Sequence, residues 1–383
     1  EKHAVKTNAN NDNFIIRDNI VTNVGTAGGL WTGFQIFFLQ NGQVTNNIID
    51  TTTYAGINLD TVTGSIISGN TISNTVSSGI QLANSPNSNS VISDNTITNA
   101  NTGNSADKGA IAIYPNSNDV TIENNILNNN NNGFAVRNKS GVVASNVYVK
   151  NNKIENNNGF GVKNLAQGGG TLDATNNWWG TDNETEIQAP LIDGNVLYSP
   201  WYISEDMTSF GATVTEVDGE NEVELPEMEF TADLEVENET KTITVSIPTG
   251  TTVTGSSDWT GVINPPTVKE TATVAPSTAG FTSTVSKVIE VGLSGERLTF
   301  DKAVKIVIPG EFGKKVGYSY DGSTFTEITT VCGENNQTWA NDNLLEGEDC
   351  YYNDGTDLIV WTKHFTEFVT YTQTALPTTT GAA

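Results

Sequence analysis

The sequence predicts an all-β protein in two parts, a solenoid of about seven stacked parallel coils followed by an antiparallel β-sandwich. Three observations carry that expectation. An asparagine recurs seven times in the first half (Asn19, Asn47, Asn70, Asn95, Asn125, Asn152 and Asn177), each three residues after one apolar position and two before another. The spacing, 23 to 30 residues, is that of a repeat architecture, in which one coil cannot bury its own apolar face and stacking buries a continuous core. From about Glu222 the texture changes to discrete strands separated by turn residues, with no helical periodicity of useful length.

Each coil carries the same parts. The apolar partners upstream of the asparagines are Ile16, Val44, Ile67, Ile92, Ile122, Val149 and Ala174; those downstream are Val21, Ile49, Ile72, Ile97, Leu127, Ile154 and Trp179. A second strand follows in six coils, from Gly33-Phe-Gln-Ile and Gly56-Ile-Asn-Leu to Gly133-Phe-Ala-Val and Gly159-Phe-Gly-Val, with the period of a strand buried on one face. The recurring asparagine falls at a corner, where its amide reaches its equivalents on coils about 4.8 Å away. That assigns it to internal structure. On these residues the chain resembles the right-handed parallel β-helix superfamily of pectate-lyase-like proteins, over residues 14 to 203. The superfamily includes lyases, hydrolases, epimerases, phage tailspikes and non-enzymatic surface proteins, so the resemblance implies a fold and leaves activity open.

The two ends of the solenoid differ. Thr175-Asn-Asn-Trp-Trp-Gly180 and Gly194 to Trp201 supply large aromatics that cover an apolar end with few residues, and many β-helix proteins of secreted bacteria and archaea look similar here. Residues 1–13 form a polar leader too irregular for a cap helix, so the first coil, from Phe14, is expected to present unpaired strand edges. Either upstream coils were removed or another subunit covers this end, and the second case gives a homo-oligomer or polymer. The opening at Glu1 without methionine fits a processed product.

An acidic connector, 204–224, leads to the predicted sandwich, 225–373, and a Pro/Thr-rich linker, 374–383. Strands are expected at Lys241 to Ile247, Val285 to Leu293, Ala303 to Ile308, Lys315 to Tyr320 and Asp357 to Trp361, with Asp321-Gly322 as a tight turn. Val288 to Pro309 and Trp361-Thr-Lys-His-Phe-Thr-Glu-Phe368 resemble the ZU5 family of β-sandwich modules. Some of its members cleave themselves at a His-Phe-Ser motif; the matching positions are His364, Phe365 and Thr366, with Thr in place of Ser, so the resemblance implies at most a modified form of that chemistry. Cys332 and Cys350 flank an acidic loop and are expected to close it as a disulfide. The loop gathers Asp342, Glu346, Glu348, Asp349, Asp354 and Asp357. Calcium accepts such oxygen ligands, but the spacing is not an EF-hand, and a solvated acidic loop is the first reading.

Acidic residues outnumber basic ones 44 to 18, which argues against nucleic acid and anionic membrane as partners. Residues 1–203 carry 15 acids and 9 bases, and the remainder 29 and 9, placing a domain change near Ser204. No apolar run is long enough to cross a bilayer. Abundant Asn, Thr and Ser with two cysteines indicate an exported, extracellular or cell-surface protein; Asn-x-Ser/Thr acceptors at Asn138, Asn183, Asn238 and Asn336 permit glycosylation. Alignment of the second strands puts Phe37, Asp60, Ala83, Tyr114, Arg137 and Lys163 in one outward column, with Tyr114, Arg137 and Lys163 as a shelf for an anionic glycan and Asp60 further off. The motifs of polygalacturonases, pectate lyases and alginate epimerases are absent. The leading expectation is a non-catalytic surface-layer, filament or adhesin component without cofactor; the alternative is a lyase-like enzyme or glycan-binding protein acting on an acidic polysaccharide along the helix face.

Overall fold

The computed structural model describes residues 3–7, 11–25, 29–84, 86–143, 146–237, 239–293, 295–320 and 323–377. The expected turn at Asp321-Gly322, the acceptor Asn238 and most of the 374–383 linker lie outside them. The chain forms two units, residues 1–210 and 211–383.

The first unit is all-parallel and built of three strand tracks. One track runs Phe34–Gln40, Ile57–Thr63, Ile80–Ala83, Ile111–Ile113, Phe134–Val136 and Val162–Asn164; a second includes Ile15–Arg17, Gln43–Thr45, Ile66–Ser68 and Ser88–Ser93. The third stacks Ile20–Val24, Ile48–Thr52, Thr71–Thr75, Thr96–Thr98, Ile126–Asn128 and Lys153–Glu155. Inward side chains from all three form one buried cluster running from Ile16 to Trp201. The last coil is covered by Trp179, Ile187 and Trp201, all buried in that cluster.

Corners explain the asparagine content. The residue before each recurring asparagine (Asp18, Asn46, Gly69, Asp94, Asn124, Asn151, Asn176) has φ between 55° and 66° in every coil. Only Gly and, at modest cost, Asn and Asp adopt that left-handed conformation readily. A second corner repeats it at Asn23, Thr51, Asn74, Asn99, Asn129 and Asn156. The asparagines themselves line up in a ladder with a direction. The backbone N–H and Nδ2 of Asn70 donate to Oδ1 of Asn95 at 3.0 and 2.9 Å, and Asn95 does the same to Asn125, Asn125 to Asn152 and Asn152 to Asn177. Each Nδ2 also donates to a backbone carbonyl one coil below, as Asn125 does to Ile92 at 2.9 Å. Asn19 heads the row, donating to Asn47 at 2.9 Å.

The leader departs from the expectation of irregular chain. Val5–Lys6 pairs with Phe34 and Gln35, and Asn11–Asp12 with Leu39 and Gln40, so these residues extend the first coil rather than precede it. Val5 and Phe14 pack half-buried against the core. The polar composition hid this because only one residue of each short strand needs to face inward.

The second unit is antiparallel, as two sheets. One holds Thr215–Val217, Glu220–Leu225, Met228–Val236, Glu239–Ile247, Thr251–Gly255, Leu298–Ile308, Asp349–Asp354 and Asp357–Phe365; the other holds Thr267–Lys269, Phe281–Glu290, Lys315–Ser319, Thr326–Ile328 and Glu367–Ala375. Cys332 and Cys350 form a disulfide. It lies in a small core with Ala303, Ala340, Leu344, Ile359 and Trp361, which anchors a short helix, Gln337–Asn343, capped by Asn336.

Candidate functional site

The strand track beginning at Phe34–Gln40 is buried on both faces. Its inward residues belong to the core, and its outward column, in register, is Gln35, Asn58, Gln81, Ala112, Ala135, Lys163 and Asp193. These residues form the floor between two flanking rows of side chains, the walls of a groove that is filled in its middle, where Gln81 is 2% and Ala112 and Ala135 are 0% exposed. One wall comes from the turns entering the strands, where Trp31, Tyr54, Ser77 and Asn101 are joined by backbone hydrogen bonds from coil to coil, and Lys108 lies in the loop after Asn101. The other comes from the residues leaving the strands, Phe37, Asp60, Ala83, Tyr114, Arg137 and Leu165.

This register corrects the position of Lys163. It is paired with Ala135 on the floor, not with Arg137 on the wall, whose neighbour one coil on is Leu165. The shelf of Tyr114, Arg137 and Lys163 therefore does not form as a single column. The slip is two residues, because Gly161, not Gly159, matches Gly133. A shift of two leaves every side chain on its own face, so the hydrophobic pattern cannot register it. Lys163 instead pairs with Asp193 at 3.1 Å and lies 4.1 Å from the Phe160 ring centre.

The structure brings Tyr114 and Arg137 together and adds groups from a loop. The Arg137 guanidinium stacks 4.6 Å over the Tyr114 ring and its Nε reaches across the groove to Asp107 at 3.4 Å. The small floor residues Ala112 and Ala135 leave room for that crossing. Beside Asp107, Lys108 is only 6% exposed. Its ammonium donates to Gln81 Oε1 and, at 3.3 Å, to the Tyr54 hydroxyl. Asn101 holds the loop rigid: its Oδ1 accepts from Ser105 N at 3.0 Å, while its Nδ2 and that of Asn132 donate to the Lys108 carbonyl at 3.1 and 2.7 Å. Asp60, two coils from Tyr114 in the same column, accepts from Asn84 at 2.7 Å.

Electrostatics set the cluster apart. Burial, with the Arg137 charge added, pushes the Lys108 ammonium below its ordinary range against the pull of Tyr54 and Asp107. For Tyr54, burial works to raise the phenol, but the Lys108 charge, hydrogen bonds from Lys108 and Gln81, and the Arg137 charge outweigh it, and its pKa lies below the usual value. A lysine and a tyrosine that both titrate early therefore stand side by side, with the Arg137 charge acting on both. Sequence reading missed Tyr54, Gln81 and Lys108. The available signal was coil length: 30 residues separate Asn95 from Asn125, against 23 and 25 in the two preceding steps, and the excess is the loop that carries Lys108.

The other sites named from sequence lie in the second unit. His364 Nε2 is 2.9 Å from Asp349, its ring packed among Tyr318, Tyr320 and Phe368, and the Thr366 hydroxyl donates to the Ser319 carbonyl. Both side chains of the His364-Phe365-Thr366 stretch that self-cleavage needs are thus engaged by other partners. The six carboxylates are not gathered. Asp342 sits on the helix, Glu348 accepts from Leu345 N at 2.9 Å, Asp349 pairs with His364, Asp354 accepts from Asn335 at 3.2 Å, and Asp357 accepts from Gly310 N at 3.2 Å, with Glu346 in the turn between. Among the described residues no group of three or more such side chains is placed to hold a metal ion, and no helix is long and apolar enough to cross a membrane.

A comparison with curated protein sequences finds no match. Two solved structures are similar: the Dettilon tailspike protein, 11% identical over 94% of this chain and 73% of its own, TM-score 0.28, and a tailspike protein of Acinetobacter baumannii bacteriophage Fri1, described as a capsular polysaccharide depolymerase, 12% identical over 95% and 67%, TM-score 0.27. Residues 3–147 match the family of right-handed β-helix regions, so the first unit is a right-handed parallel β-helix.

Proposed function

We propose that the first unit binds an acidic polysaccharide along the groove and cleaves it by β-elimination, with Tyr54 as the proton-transfer group. The observation that supports this reading is the Tyr54–Lys108–Arg137 cluster: two cations, one of them buried, on a chain whose net charge is −26. Burying the Lys108 ammonium costs desolvation free energy that an anionic ligand offsets. In the reaction, Arg137 neutralises the uronate carboxylate, which stabilises charge building at the adjacent carbon. The Tyr54 phenolate takes the proton from that carbon, the electrons of the C–H bond form the new carbon–carbon double bond, and the bond to the leaving glycosidic oxygen breaks. Tyr54 then returns the proton to the departing oxygen. Lys108 acts through Tyr54, holding its oxygen anionic. The extracellular setting belongs to the same reading and is supported by the disulfide, while the ZU5-like identity of the second unit rests on its strand sequences.

Incubating the protein with alginate, polygalacturonate and hyaluronan and following ultraviolet absorbance of the new double bond tests this. Wild-type product formation that Tyr54→Phe abolishes supports it; no product from any uronate polymer, or an undiminished Tyr54→Phe, overturns it.

A second reading, a rod that joins others at its open end, has one specific observation in its favour. Asn19 alone of the ladder is exposed, and its Oδ1 accepts from no described residue, while Ile15–Arg17 and Ile20–Val24 each pair on one side only among the described residues. Unpaired parallel edges of this kind template further strands. Sedimentation at rising concentration checks it: a species that stays monomeric throughout rejects it.

A further inference from the structure

The second unit holds a cavity of about 420 Å³, lined from the strands Lys315–Ser319 and Thr326–Ile328, the helix Gln337–Asn343 and the turn after it. That volume falls within the range of small-ligand sites, about 300–1,000 Å³. The parts are tied together beside the disulfide. Thr330 O accepts from Tyr351 N at 3.0 Å, Cys332 N donates to Tyr351 O at 2.9 Å, and the cap residue Asn336 accepts from Trp339 N at 2.8 Å. The half-buried indole of Trp339 lies against Gly333, where a Cβ would stand 3.0 Å from Nε1, so the missing side chain is what lets the ring sit so close. In the lining Trp339 is joined by the buried Ile328 and Leu344, while Thr329, Thr330 and Asn343 bring exposed hydroxyls and an amide. Asn343 Nδ2 donates to Trp339 O at 2.8 Å, and its Oδ1 makes no hydrogen bond among the described residues.

Charge narrows the ligand. Glu327, Glu348 and Asp349 line the cavity, and no lysine or arginine does among the described residues. The cations nearby have partners of their own. Lys315 pairs with Glu327, and Lys363 donates to Asn341 O at 3.4 Å. Arg297 stacks 4.6 Å over the Tyr320 ring, and its Nη2 is 3.1 Å from where a Gly347 Cβ would be. The other two carboxylates are also engaged, Glu348 by Leu345 N at 2.9 Å and Asp349 by His364 at 2.9 Å. Such a lining repels an anion, and an ammonium group finds its counter-charges already taken.

We propose that this cavity binds a neutral sugar, with a pyranose ring against Trp339 and its hydroxyls shared among Thr329, Thr330, Asn343 and Glu348. A pyranose has an apolar C–H face and hydroxyls that both donate and accept, which matches an aromatic plate edged by hydroxyls, an amide and a carboxylate. The site lies wholly within the second unit and stands independently of the groove reading. A chain with both sites meets an acidic polymer with its first unit and an uncharged glycan with its second.

Titration calorimetry of the full chain with cellohexaose, laminarihexaose and mannohexaose, beside hexamers of galacturonate and glucosamine, tests this. At least one neutral hexamer is expected to bind, and more tightly than the glucosamine hexamer. Trp339→Ala is expected to weaken it by about tenfold or more, through the lost stacking face. Asn343→Ala is expected to weaken it roughly fivefold, the worth of one hydrogen bond. Trp339 also packs on the disulfide core, so thermal unfolding checks both variants, and the exposed Asn343 decides the matter where Trp339→Ala does not fold. Arg137→Gln, in the first unit, is expected to leave neutral binding unchanged. Failure of every neutral hexamer to bind, neutral binding that survives the folded variants undiminished, or a preference for glucosamine overturns the site. Neutral binding lost in Arg137→Gln but kept in Asn343→Ala overturns it as well and assigns that sugar to the first unit. Any galacturonate signal stands or falls separately, with the groove reading.

Discussion

Asn125 shows what one residue does in this protein. Its Nδ2 donates to Asn152 Oδ1, to Ile92 O and to Glu123 O, all at 2.9 Å, and its Oδ1 accepts from the N–H and Nδ2 of Asn95. Replacing it by alanine strands several buried partners at once, and about 3–5 kcal/mol of stability is expected to go. Asn19→Ala, at the exposed head of the row, is expected to cost less than about 1 kcal/mol. Equilibrium denaturation of both variants checks the contrast, and equal losses would mean that the ladder is not what holds the corners together. The chemistry proposed for Tyr54 depends on neighbours in the same way. Elimination needs the phenolate, so the rate is expected to rise with pH as the phenol ionises, at a pH below that of an ordinary tyrosine. It is expected to fall again once Lys108, itself lowered by burial, loses the proton that stabilises the phenolate. In Lys108→Met the stabilising charge is gone and burial still opposes the anion, so the rising limb moves to higher pH. A pH–rate profile in which that limb stays put would remove Lys108 from the mechanism.

At the scale of elements, the coils were legible in the sequence because corner and core requirements coincide. A residue tolerant of left-handed φ, then the ladder asparagine, then an apolar residue two further on is a pattern few other structures impose, as in Asp94-Asn95-Thr96-Ile97. The groove was half legible. Tyr114 and Arg137 follow a regular strand and could be placed by counting, while Lys163 could not, since an even shift preserves every inward residue of its strand. Lys108 enters from an irregular loop and meets Tyr54, 54 positions away. No periodic pattern encodes that contact. In the second unit the strands were recognised, but the acidic stretch was read as one loop where a helix, Gln337–Asn343, and a strand, Asp349–Asp354, divide it. The disulfide ties these two elements into the small core of Ala340, Leu344 and Trp361 across a sequence separation of 18. Closing a loop of that length is worth about 3 kcal/mol through the unfolded chain. Cys332→Ser/Cys350→Ser is therefore expected to destabilise the second unit by about 2–4 kcal/mol, leaving polysaccharide binding by the first unit unchanged. Denaturation followed by Trp fluorescence, beside a binding assay, separates the two effects, and a double variant as stable as wild type would show that packing alone holds the helix.

For the whole molecule, charge is divided against itself. The chain as a whole carries −26, and the groove places Lys108 and Arg137, with one carboxylate between them, at the only point where an acidic polymer is proposed to dock. These act over different distances. Contacts inside the groove are made within a few ångströms and in partly buried surroundings, where salt screens weakly, whereas repulsion between the acidic surface and a polyanion is long-ranged. The screening length shrinks from about 30 Å at 0.01 M salt to about 10 Å at 0.1 M, so added salt removes the repulsion before it weakens the attraction. Affinity for alginate is thus expected to rise as sodium chloride increases over that range and to decline only at higher concentration, the opposite of a basic protein gripping the same polymer. In Arg137→Gln the rising part is expected to persist, since it belongs to the surface, while the affinity at every salt concentration drops. Titration calorimetry across the salt series measures both curves. An affinity for alginate that falls monotonically from the lowest salt would mean that local cations dominate at all distances, and that the acidity of the rest of the molecule plays no part in how it meets its ligand.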